Sequence, residues 1–136
     1  MPKKPKPGIS VAKARSLLQA GKPGEAAAML KKLLKKTPNN TAALELMAEL
    51  AFKQGDAIAA TRMLQTVVAS QPDRVSALNK LGVVLATQSQ FAKAAEYLGR
   101  AVKLDPDCFA AQLDLCKVNR EMGLLDKSID AGLHAV

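Results

Sequence analysis

LKKTPNNTAALELMAEL, residues 34–50, sets a lysine-rich amphipathic stretch against a new apolar rhythm, with Pro38 at the break. The same break returns at Pro72, in VASQPDRVSAL, and at Pro106, in VKLDPDCFAAQ. Both intervals are 34 residues. A period of that length marks small supersecondary units that bury their apolar faces on their neighbours.

Aligned on the prolines, the chain falls into blocks 7–40, 41–74, 75–108 and 109–136. Counting positions within each block, position 8 holds Ala14, Ala48, Gly82 and Cys116, and position 20 holds Ala26, Ala60, Ala94 and Ser128. All eight are small. Position 24 is mostly large, with Leu30, Leu64, Leu98 and then Gly132. Small residues at 8 and 20 let two antiparallel helices approach closely, and larger neighbours fill the space around the contact. Position 15 holds Gly21, Gly55, Ser89 and Gly123, where a helix is expected to end. Asp56 and Ser89 are read as caps of the following helices. The predicted first helices run near 9–20, 41–53, 75–87 and 109–121. The predicted second helices run near 24–36, 57–70, 91–103 and 125–135.

Composition agrees with an all-α class. Hydrophobic residues make up 49% of 136, but aromatics only 3%, so the core is built from Leu, Ala, Val and Met. The net charge of +8 is uneven. Residues 1–40 hold ten Lys/Arg against one acid, Glu25, whereas residues 41–136 are close to balance. Residues 1–8 read as a disordered basic tail. Cys108 and Cys116 stand eight residues apart on one predicted helix, about 12 Å of rise, which is too far to pair. No apolar segment follows the charged N-terminus, and no run approaches ~20 apolar residues. The expectation is a cytoplasmic protein with no transmembrane segment.

The period and the small–large columns resemble the tetratricopeptide repeat (TPR) over residues 9–136. Block 75–108 matches best, through Leu78, Leu81, Gly82, Leu85, Phe91, Ala94, Leu98, Ala101 and Pro106. The resemblance implies a right-handed α-α superhelix of about four helix pairs, the last incomplete and uncapped. It also implies that first helices line a concave groove. Mapped by position, the groove candidates are Arg15 and Gln19, then Glu45, Glu49, Phe52 and Lys53. They continue with Asn79, Lys80 and Val83, then Asp114, Lys117 and Arg120. The same positions also name Val11, Leu46, Ser76, Thr87, Leu113 and Glu121. Helical periodicity by itself puts Glu45, Glu49 and Phe52 on one stripe, and Asn79, Lys80 and Val83 on another.

Two specialised grooves of the family are missing. A clamp for a C-terminal carboxylate needs Lys, Asn and Arg where this chain has Val11, Arg15, Leu46, Ser76 and Lys80. One block later it has Glu45, Glu49, Lys80, Ala110 and Asp114. The ladder of Asn seen in O-linked N-acetylglucosamine transferases falls on Ala12, Leu46, Lys80 and Asp114.

The sequence offers no catalytic, metal or cofactor motif. His134 reads as a surface side chain, Cys116 as packing in the small column, and the methionines as core filler. Three functions remain. The first is a non-catalytic scaffold holding a protein or peptide in the groove. The alternative is the N-terminal recruitment domain of a larger glycosyltransferase, sulfotransferase or methyltransferase. The lack of an expected polar helix after Leu125, Ile129 and Leu133 favours that alternative, or self-association through this end. The third is docking of the basic arm on nucleic acid or anionic membrane, although its lysines lack interleaved aromatics.

Overall fold

The first three prolines of the repeat build one local structure three times. Backbone hydrogen bonds join Asn40 N to Thr37 O, Arg74 N to Gln71 O, and Cys108 N to Asp105 O. Each closes a four-residue turn with proline in its second place, where the fixed proline φ fits. The residue before proline is held extended, as Thr37 (φ −132°, ψ 83°) and Asp105 (φ −136°, ψ 87°) demonstrate. A helix therefore ends two residues before each of these prolines.

The computed structural model describes the backbone of residues 10–134 and the side chains of residues 10–123. The described residues form seven helices and no strand. They are α1 Val11–Gln19, α2 Pro23–Lys36, α3 Thr41–Lys53, α4 Ala57–Ser70, α5 Val75–Thr87, α6 Phe91–Leu104 and α7 Phe109–His134. Helices α3 to α6 match their expected bounds to within one residue. The basic tail, 1–8, lies outside the described residues, as do the side chains of Leu125, Ser128, Ile129, Leu133 and His134.

Three tight turns share one hydrogen-bond pattern. Lys22 N donates to Leu17 O, Asp56 N to Ala51 O, and Gln90 N to Leu85 O, at 2.9, 2.8 and 3.0 Å. The residue just before each donor is left-handed: Gly21 at φ 77°, Gly55 at 87° and Ser89 at 61°. These are Schellman ends, which satisfy the last carbonyls of a helix. Ser89 therefore occupies the glycine position of its block. The capping role expected of it is unfilled, since Gln90 precedes α6 with no side-chain cap. Asp56 does cap α4, accepting from Ala59 N at 3.0 Å. Ser10 and Asn40 cap α1 and α3 in the same way, each at 3.1 Å.

The fourth block departs from expectation. No turn forms at Gly123, and α7 runs unbroken from Phe109 to His134. Lys22-Pro23, Asp56 and Gln90 come after the other turns, whereas Leu124 comes after Gly123. Leucine supplies no cap for a new helix, and a helix can continue through one glycine at about 1 kcal/mol.

The chain divides into two compact units, Met1–Ser70 and Gln71–Val136. In the first, α1 packs on α2 and α3, α2 on α3, and α3 on α4. Its core contains Ala14, Ala26, Leu30, Ala43, Leu46 and Leu50. In the second, α5, α6 and α7 pack against one another. Leu78, Leu81, Leu85, Ala94, Leu98 and Ala101 are fully or almost fully buried there. The small columns do approach closely: a Cβ placed on Gly82 would lie 2.5 Å from Leu98 Cγ. Cys116 is the exception to its column. It is exposed, because α7 does not turn back at Gly123 to lay a second helix over it.

Candidate functional site

Each unit holds six of the expected groove residues. In the first, Arg15 and Gln19 of α1 are exposed, as is Lys53 of α3, while Glu49 and Phe52 are half-buried. Glu45 is different, at only 5% exposure. Leu46, also assigned to the groove by position, belongs to the core of this unit.

In the second unit three of the six candidates line one cavity. The turn at Pro106 sets the start of α7, where Asp107 N donates to Asp105 Oδ1 at 3.2 Å and Gln112 Nε2 donates to Pro106 O. From that start, Asp114, Lys117, Val118 and Glu121 fall three or four residues apart and share one stripe. The stripe borders a cavity of about 420 Å³ with α5 and α6 on its other sides. Val83, Ala86, Phe91, Leu98 and Val118 form its apolar wall. Thr87, Asp114, Lys117 and Glu121 are its polar lining residues. Leu98 is fully buried and Val118 nearly so, whereas Thr87, Lys117 and Glu121 are exposed. The site is thus an apolar hollow with charges at its mouth.

Three of the expected groove residues, Val83, Asp114 and Lys117, meet in this cavity. Asn79, Lys80 and Arg120 do not line it. Thr87 and Glu121 were marked by position alone. Phe91, Leu98, Ala86 and Val118 were missed as lining residues. Phe91 and Leu98 read as core members of a second helix, and nothing in the sequence marks a core side chain that also faces a void. Gly82 explains why Leu98 can serve both purposes, because the missing Cβ leaves room for the leucine to lean on α5. Asn79 has a feature of its own: its Oδ1 is buried with no hydrogen-bond partner among the described residues. An unmatched acceptor of that kind costs about 1–3 kcal/mol and is relieved by any donor that reaches it.

Among the described residues, no group of three or more His, Cys, Asp or Glu could hold a metal ion. No helix among them is long and apolar enough to cross a membrane.

Comparison with known proteins points the same way. Two models of the tetratricopeptide repeat match the chain, over residues 17–81 and 75–108. Comparison with curated proteins finds no match. Among solved structures, the chain is similar to a mutant O-GlcNAc transferase from Thermobaculum terrenum, at 26% identity and a TM-score of 0.75. That likeness covers 79% of this chain but only 21% of the transferase. The first TPR of Spaghetti (RPAP3), bound to an HSP90 peptide, is 20% identical with a TM-score of 0.78, covering 82% of this chain and 89% of that one. The TPR domain of Sgt2 from Aspergillus fumigatus is 14% identical with a TM-score of 0.79, covering 85% and 78%. The last two establish likeness of fold alone. Seven helices in a 34-residue rhythm, three identical turns and two matching repeat models give one conclusion: the chain belongs to the tetratricopeptide repeat family, an all-α helical-repeat fold used for protein interaction.

Proposed function

We propose that this chain is a non-catalytic interaction module that holds a peptide or an extended partner segment on its first-helix faces. The observation that carries the reading is the cavity of the second unit, where the first helices α5 and α7 meet α6 and an apolar wall lies beside a charged mouth. That combination suits a side chain anchored by burial and oriented by charge. The similar RPAP3 domain, bound to an HSP90 peptide, supports the same class of ligand. The missing carboxylate clamp argues for a different peptide chemistry.

The test is selection of a random dodecapeptide library on the intact chain, then titration of the enriched peptides. Binding is expected to fall about tenfold in at least one of Glu49→Lys, Lys80→Glu and Lys117→Glu, with helical content unchanged. Enrichment of no peptide, or binding that survives all three reversals, sinks the reading.

A second reading, the recruitment domain of a larger enzyme, is favoured by the likeness to the O-GlcNAc transferase, of which the chain spans about a fifth. The mass of the intact product in its native cells separates the two. A product near 14.4 kDa means a stand-alone module, and a much larger one means a recruitment domain.

A further inference from the structure

We infer that the cavity of the second unit selects a large apolar side chain flanked by a lysine or arginine of the bound peptide. This rests on the peptide-binding reading and names the chemistry of its ligand. The apolar half of the inference comes from the wall. Val83, Ala86, Phe91, Leu98 and Val118, all with apolar side chains, line a space of about 420 Å³. That volume lies within the usual range of ligand pockets and is ample for one large side chain with its neighbouring backbone. A polar side chain placed there would lose its water against side chains that offer it no hydrogen bond.

The basic half comes from the mouth. Among the described residues its charges are Asp114, Lys117 and Glu121, all on one stripe of α7. Lys117 stands three residues after one carboxylate and four before the other, within reach of both, and its single charge offsets one of the two. One negative charge is left over, beside an apolar surface where screening by water is reduced. A cation on the residue next to the apolar anchor completes the balance. An acidic neighbour would face two carboxylates across the mouth. Arginine suits the position better than lysine, since its planar fork can grip a carboxylate with two donors while its stem lies on the apolar wall.

The dodecapeptide selection reads this out directly. Enriched sequences are expected to share Leu, Met or Phe next to Arg or Lys. An enriched peptide, labelled and titrated by fluorescence anisotropy, is expected to bind about tenfold more weakly to the Asp114→Lys, Glu121→Lys double variant. Exchanging its basic residue for Glu is expected to restore much of that loss on the double variant and to weaken binding to the parent protein. Ala86→Leu, which fills the hollow without changing charge, is expected to weaken both peptides alike. Should Ala86→Leu lose helical content, Thr87→Trp at the exposed edge takes its place. Enriched peptides with no apolar–basic pair overturn the inference and leave the peptide-binding reading intact. So does binding that stays within twofold in both the charge variant and the filling variant. Self-association of the chain that the filling variant abolishes would likewise assign the hollow to a second copy. Enrichment of no peptide overturns the peptide-binding reading itself.

Discussion

Gly55 and Gly123 stand at the same place in the repeat, yet one ends a helix and the other lies inside one. At Gly55 the backbone is left-handed, Asp56 N donates back to Ala51 O, and the Asp56 carboxylate caps α4. At Gly123 the helix runs on to His134. The glycine is common to both, so glycine alone does not stop the helix. The next residue differs, a capping aspartate in one case and a leucine in the other, although Lys22 and Gln90 open α2 and α6 with no side-chain cap. Glycine makes the left-handed turn inexpensive, and at Gly55 the Asp56 cap adds to it. Gly82 adds a third case. It is helical like Gly123, but its Cα hydrogen faces Leu98, whereas no described residue comes within 4 Å of a Cβ placed on Gly123.

Alanine at each position breaks the comparison apart by sign and size. The largest effect is expected at Gly82→Ala. The added methyl meets three atoms of buried Leu98 at 2.5–3.2 Å. Overpacking of this kind costs about 1–3 kcal/mol, more than the helix gains by losing a glycine. Thermal unfolding followed by circular dichroism checks it, and an unchanged or raised midpoint refutes the close approach. Gly55→Ala is expected to cost about 1–2 kcal/mol, with no clash at all, because a Cβ is placed on a left-handed residue. A urea midpoint lowered at constant slope is the expected result. Asp56→Ala should cost about 1 kcal/mol through loss of the cap. Faster hydrogen exchange at the Ala59 amide is the local reading of that loss. The smallest effect has the opposite sign. Gly123→Ala should stabilise by about 0.5–1 kcal/mol, since the site is helical and open. A lowered melting temperature there would show that Gly123 is used as a turn after all.

The same contrast separates what could be read in advance from what could not. Helices α3 to α6 were legible to within a residue because their ends are local. Each depends on a proline, a left-handed residue or a cap within five positions of the bond it makes. The continuity of α7 was not legible because a glycine is compatible with both a left-handed end and a helix interior. Among site residues, Val83, Asp114 and Lys117 were legible because they share helix faces with a fixed spacing. Glu45 had the same spacing and still proved buried, since burial depends on what lies across from a face. Cys116 sat in a column of buried small residues and proved exposed, for want of a helix over it.

By itself the sequence determined the 34-residue period, the helix class, the turn residues and the small columns where helices meet. These rest on bonds and contacts between residues close in the chain, or on a spacing that repeats. Only the tertiary structure decided that Phe91 and Leu98, core residues by pattern, also wall a cavity with Val83 and Val118. A cavity is the volume left over when helices far apart in sequence have packed, and no single residue type encodes it.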